Sequence, residues 1–109
     1  MTAPSSEFES FVLEQIGTDV SVGSFFGGRA FKRGGTQFAF LMGNTLYLRT
    51  RSADREAMKS AGSEPFSYNT KRGRVTVASY YPVPGEWLEN PETLQKWIRK
   101  ALAASAKTG

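Results

Sequence analysis

The stretch Gln37-Phe38-Ala39-Phe40-Leu41-Met42, then Gly43-Asn44, then Thr45-Leu46-Tyr47-Leu48-Arg49 decides the fold class. Two aromatic and apolar runs flank a two-residue Gly/Asn loop. Such loops favour tight hairpins, because both residues accept positive φ at little steric cost. The first run is almost wholly apolar and reads as a central strand. Immediately upstream, Val20 and Val22 alternate with polar residues, Phe25-Phe26 lead into Gly27-Gly28, and a short segment reaches a second turn at Arg33-Gly34-Gly35-Thr36. Residues 19–50 therefore read as an antiparallel meander of three or four strands.

Helices flank this meander. Ser6-Glu7-Phe8-Glu9 has the form of a capping box, and Phe8, Phe11, Val12 and Ile16 then share one helical face, so a helix is expected over residues 6–16 and ending at Gly17. Ser52 is expected to cap a short helix over 53–61, stopped by Gly62. Its apolar face is thin (Ala57, Met58, Ala61), which places it at the edge of the sheet. A second hairpin is expected, with strands at 66–68 and 74–80 around Lys71-Arg72-Gly73. Pro82 and Pro84 should then end strand pairing, since neither ring can donate to a ladder, and Pro84 opens a helical turn carrying Trp87 and Leu88. The last helix has the clearest signals. Asn90 is a good N-cap, Pro91 suits the first helical position, and Leu94, Trp97, Ile98, Ala101 and Leu102 form an apolar stripe. The predicted fold class is α+β, a two-layer antiparallel sheet packed against helices in the order α-β3/4-α-β2-α. A chain of 109 residues fits one domain over 1–109, with a core at 6–103 and a tail from 104 to 109.

Composition narrows the chemistry. The chain has no histidine and no cysteine. Ser-His-Asp and Cys-His nucleophiles therefore cannot be assembled from it alone, and neither can thiolate or imidazole metal sites. Carboxylate-pair or lysine chemistry is open in principle. The acidic residues suggest no acid/base couple, so no catalytic residue, no metal site and no cofactor are expected. The N-terminus lacks the basic start and apolar run of a secretory signal, and no apolar run approaches the ~20 residues of a membrane span. The expected location is the cytoplasm, with no membrane partner.

Lysine and arginine outnumber acidic residues 14 to 10, for a net charge of +4. Arg29, Lys32, Arg33, Arg49, Arg51 and Arg55 fall in the meander and just after it, and Lys71, Arg72 and Arg74 lie on the later hairpin. If the hairpin tips share one side, these residues form a phosphate-contacting patch, with Tyr68, Tyr80 and Tyr81 able to stack on bases. The competing reading is solubility and edge protection, with Asp54, Glu56 and Glu64 diluting the patch. The Gly27-Gly28 pair raises the idea of a phosphate cradle, but no Gly-Lys-Ser/Thr ending follows, and a hairpin corner is the favoured reading. The basic amphipathic face of the last helix is needed to cover the sheet, so core packing is expected to claim it.

In order along the chain, Phe25-Phe26-Gly27-Gly28, Phe38-Ala39-Phe40, Leu46-Tyr47-Leu48-Arg49, the segment Ala61-Gly62-Ser63-Glu64-Pro65-Phe66-Ser67-Tyr68, Ser79-Tyr80-Tyr81-Pro82-Val83-Pro84, and the closing Trp87-Leu88, Leu94 and Trp97-Ile98-Arg99-Lys100-Ala101-Leu102 resemble the TfoX N-terminal domain family. The resemblance covers roughly residues 8–105. It departs from the family where Phe25 stands in place of the usual Met before Phe-Gly-Gly, and where Arg29-Ala30-Phe31-Lys32-Arg33 replaces a small-residue stretch. It implies a two-layer α+β domain. It also implies a link to bacterial regulators of natural competence, which are thought to act with a cyclic-AMP receptor transcription factor and of which it matches only the first half. The family supplies no catalytic residues to carry over. The leading expectation is a non-enzymatic regulatory or adaptor domain, monomer or homodimer, whose partner is a protein such as a transcription factor. The alternatives are direct nucleic-acid binding through the basic hairpins and a small-molecule binder or enzyme at the Gly27-Gly28 corner.

Overall fold

The computed structural model describes residues 6–17, 20–25, 27–43 and 45–107, leaving aside the side chains of Ser6, Ser52 and residues 105–107. Helix α1 (Ser6–Ile16) leads into four strands, β1 (Ser21–Phe25), β2 (Gly28–Arg33), β3 (Thr36–Met42) and β4 (Thr45–Arg49). Helix α2 (Ser52–Ser60) precedes β5 (Phe66–Thr70), β6 (Gly73–Val77) and β7 (Tyr80–Pro82), and α3 (Gly85–Leu88) and α4 (Pro91–Lys107) close the chain. The main sheet has the antiparallel order β1-β2-β3-β4-β7, and β5-β6 form a separate two-stranded ribbon. The expected α+β class and antiparallel sheet are what the chain forms. The capping box and the Phe26 and Asn44 corners rest on atoms outside those described.

Strand alternation gives the sheet two different faces. On one face Phe31, Ala39, Leu41, Leu46, Leu48, Tyr81 and Val83 meet Val12 and Ile16 of α1, Met58 of α2, and Leu94, Trp97, Ile98 and Ala101 of α4 in one buried cluster. A register shift between Phe31 and Lys32 leaves Phe38 as an extra residue in β3, and this bulge lets consecutive Phe38 and Ala39 both enter that core. On the other face Phe40, 1% exposed, sits among the rings of Phe25 (4.8 Å), Tyr47 (4.7 Å), Tyr80 (5.0 Å) and Phe66 (5.1 Å). Each tilted or edge-on pair adds about 0.5–1.5 kcal/mol beyond the area it buries. Phe66 comes from the ribbon, so the aromatic cluster ties β5-β6 to the sheet.

The expected 74–80 strand divides in two. β6 ends at Val77, a turn at Ala78-Ser79 redirects the chain, and β7 joins β4 instead, with Thr50 donating to the Ser79 carbonyl at 2.7 Å. Strand pairing ends at the prolines as expected, with Pro82 itself the last paired residue of β7, opposite Tyr47. β7 is an edge strand, and the Val83 amide donates to Leu46 at 2.8 Å. Successive amides point opposite ways, so the missing N–H of Pro82 falls on the outer side, where no ladder bond is lost.

The helix ends correct two further expectations. α2 starts at Ser52, which leaves Arg51 rather than Ser52 at the N-cap. The Arg51 guanidinium reaches Asp54 at 3.1 Å, inside the first turn. Of the three apolar residues expected to pack, only Met58 is buried, and Ala57 and Ala61 are exposed. Buried Asp54 takes their place in fixing the helix, since Lys100 of α4 reaches it at 3.4 Å. At its C-terminus Ser63 N–H donates to Met58 and Gly62 N–H to Lys59, with Gly62 at φ +89°, the paired pattern that a left-handed glycine makes. α4 is capped as read, with Thr93 N–H donating to Asn90 Oδ1 at 3.2 Å. It runs to Lys107 with Ala104 buried, so the tail expected from 104 is helical to 107. Trp87 of α3 stacks on Trp97 at 4.8 Å.

Gly28 explains one half of the Gly27-Gly28 pair. A Cβ there would collide with the Leu41 carbonyl oxygen, because β2 and β3 approach closely at that point. Gly23, on the edge strand, has open space. Gly28→Ala should therefore lower unfolding free energy by about 3 kcal/mol as overpacking against a strand backbone. Gly23→Ala should stay within about 0.5 kcal/mol. Urea denaturation of the two variants checks the contrast.

Candidate functional site

The basic residues singled out in the sequence do not form one patch. Arg29 lies on the helix-bearing face, where its Nε is 3.1 Å from Glu9 Oε1 of α1. Arg33, four residues on and so on the same face, lines a cleft with Glu14 of α1, Gly17 just beyond it, and Ile98 and Arg99 of α4. Arg51 is held by Asp54, and Arg55 donates to Thr50. Lys32 and Arg49 alternate to the opposite, aromatic face. The Arg49 charge acts on the Tyr80 hydroxyl there.

Lys71, Arg72 and Arg74 lie together on the ribbon. In β5-β6 the cross-strand partners are Phe66 with Val77, Ser67 with Thr76, Tyr68 with Val75 and Asn69 with Arg74. Alternation gives the ribbon an apolar side (Phe66, Tyr68, Val75, Val77) and a polar side (Ser67, Asn69, Arg74, Thr76). Arg74 Nε donates to Ser67 Oγ at 2.8 Å. The tip is braced by Thr70, whose hydroxyl donates to the Gly73 carbonyl at 2.9 Å and accepts the Arg72 amide at 3.2 Å. Beyond the Ser67–Thr76 pair both strands are exposed, and Tyr68 and Val75 retain 45% and 37% of their surface. Tyr80 and Tyr81 are 9% and 1% exposed, so neither ring can stack on a base. Only Tyr68 of the three can do so.

Where the ribbon leaves the body, Tyr47, Ser63, Pro65, Ser67, Arg74 and Pro82 line an open cleft of about 520 Å³. Ser63 Oγ donates to the Pro82 carbonyl at 3.0 Å across its floor. Burial pushes the Tyr47 hydroxyl above its ordinary range. It does the same to Tyr80, opposed there by the Arg49 charge and by hydrogen bonding from the Gln37 and Arg49 side chains; the Tyr80 hydroxyl itself donates to the Gln37 carbonyl at 3.4 Å. The Gly27-Gly28 corner is no cradle: Gly28 is buried against β3 and a strand, not a helix, follows it.

The sequence profile of the TfoX N-terminal domain matches residues 12–105, nearly the whole chain. The chain belongs to the TfoX N-terminal domain family. A search of curated proteins finds no match. In this TfoX N-terminal domain, segments 61–68 and 79–84, two of those on which the resemblance rested, converge on the cleft. No helix among the described residues is long and apolar enough to cross a membrane.

One signal was readable and passed over. Residues 20–53 and 65–85 contain no aspartate or glutamate at all. Every strand among the described residues is therefore acid-free, and the described acids sit on the helices, their ends and their loops. Asp54, read as diluting the basic set, is buried and bound to Arg51 and Lys100.

The tyrosines supply a pH test. Above about pH 10 the unfolded chain ionises its tyrosines first, while folded Tyr47 and Tyr80 hold their protons to higher pH. The unfolded state then binds fewer protons, and stability falls as pH rises. Tyr80→Phe should make that alkaline decline shallower, measured as the urea midpoint against pH.

Proposed function

We propose that this chain is a non-catalytic regulatory domain that works by binding another protein, with a transcription factor as the expected class of partner. The observation that carries the reading is the exposed Tyr68–Val75 pair. These two residues are direct cross-strand neighbours on the apolar side of the ribbon, held out from the sheet by Phe66. Single exposed hydrophobes are ordinary on protein surfaces, but an aromatic and a β-branched residue side by side form the start of a docking patch. Tyrosine is enriched in such patches because it buries a large area at small entropic cost. Membership of the TfoX N-terminal domain family supports the regulatory part of the reading. The cytoplasm is the compartment this proposal assumes.

A photo-crosslinking residue placed at position 68 tests it in cells. The expected result is one discrete protein adduct that excess unlabelled domain competes away, with no such adduct from the same residue at position 95 on α4. Tyr68→Ala combined with Val75→Thr should weaken capture at least about tenfold while shifting stability by less than about 1 kcal/mol. No adduct, or the same adducts from both positions, would contradict the proposal.

A further inference from the structure

The geometry points to a second use of the ribbon: we propose that the β5-β6 tip binds B-form duplex DNA, entering the major groove with Lys71, Arg72 and Arg74 on the phosphates. This goes beyond partner binding, because it uses the charged tip and polar side rather than the apolar pair.

Three observations combine. The ribbon carries three positive charges and no negative one, within a stretch from 65 to 85 that lacks acids altogether. Among the described residues no ion pair reaches Lys71, Arg72 or Arg74; the pairs involve Glu9 and Asp54, on the helix side. The charge excess of the chain is thus concentrated rather than spread. Secondly, the tip is convex and exposed on all sides, and Thr70 braces it from both directions. A convex two-stranded ribbon, with strands about 4.8 Å apart, fits a major groove about 12 Å wide. The deep, narrow major groove of A-form RNA does not admit it. An acidic peptide would need a concave seat, which the tip does not offer. Thirdly, on the sheet face to which the ribbon is tied, Lys32 and Arg49 add positive charge, and the acid lining the cleft at the ribbon's base is Glu64, so the field grows more positive from the base towards the tip.

The magnitude is informative. Three phosphate contacts predict a log–log salt slope of about −2.7, so affinity should fall about 40-fold between about 50 and about 200 mM salt. Three phosphate contacts with this sensitivity to salt would not hold the domain on DNA alone. It would add affinity and register to a complex already held by another protein, which is what an adaptor requires.

The test is fluorescence anisotropy with the full chain and a duplex of about 20 base pairs, titrated across that salt range. Two triple variants each remove three charges from the net +4: Lys71→Gln/Arg72→Gln/Arg74→Gln on the ribbon, and Lys59→Gln/Lys96→Gln/Arg99→Gln on the helices. The proposal expects the ribbon variant to lose at least about tenfold at the lowest salt and to flatten the slope, with the helix variant close to the parent. The milder Lys71→Gln/Arg72→Gln leaves the Arg74–Ser67 bond in place and should reduce the slope to about −0.9. Undetectable duplex binding at the lowest salt overturns the proposal. Equal weakening by both triple variants overturns it too, since net charge alone would then be responsible. Polyglutamate that binds with the same affinity and slope also overturns it, and reassigns the tip to an acidic protein.

Discussion

Phe40 occupies the centre of the middle strand, and four rings from four different strands surround it on the side away from the helices. The main sheet already has a core on its helix face, where Leu41, Leu46 and Leu48 meet α1 and α4. A second buried residue on the opposite face needs a cover of its own, and Phe66 supplies part of it. An isolated two-stranded ribbon is marginally stable in water. The ring contacts of Phe66 with Phe40 and Tyr47, both at 5.1 Å, give β5-β6 the tertiary anchor it needs. The exposed residues of the ribbon are thus presented from a fixed base.

The same arrangement separates the charges. Side chains facing the helices meet acids on α1 and α2, as Arg29 meets Glu9. Side chains facing the ribbon meet few, because the strands and their turns contain no acid and Glu64 stands only at the ribbon's base. A mild overall excess of positive charge is therefore strongest at the ribbon tip, away from Glu64. Partner binding through Tyr68 and Val75 and phosphate contact through the tip draw on opposite sides of the same short element. Both depend on the Phe66 anchor.

Much of the fold was legible because its periodicities are strong. The β3-β4 hairpin, α1 and the stripe of α4 follow from alternation, helical spacing and caps. The division between β6 and β7 was not, because residues 74–80 contain no glycine or proline to mark a turn. What redirects the chain is long-range pairing of Tyr80–Pro82 with β4. The last turns of α4 were missed for a simpler reason: alanine-rich 103–107 is good helix sequence, and Ala104 extends the buried stripe. For the site, adjacency in sequence misled. Arg29, Lys32 and Arg33 are neighbours along β2, yet alternation sends Lys32 to the face opposite Arg29. Tyr80 looked available and is buried as part of the ring cluster. The ribbon trio held together because a two-residue turn keeps its flanks close.

The anchor is the claim on which the rest depends, and amide hydrogen exchange on Phe66→Ala tests it most directly. The account predicts that protection falls across residues 66–77 while amides of β2, β3 and β4 keep theirs, so the ribbon comes loose from an intact sheet. Unchanged protection in the ribbon would show that Phe66 does not hold it. Loss of protection throughout the chain would show that ribbon and sheet form one cooperative unit, and either result would contradict the account.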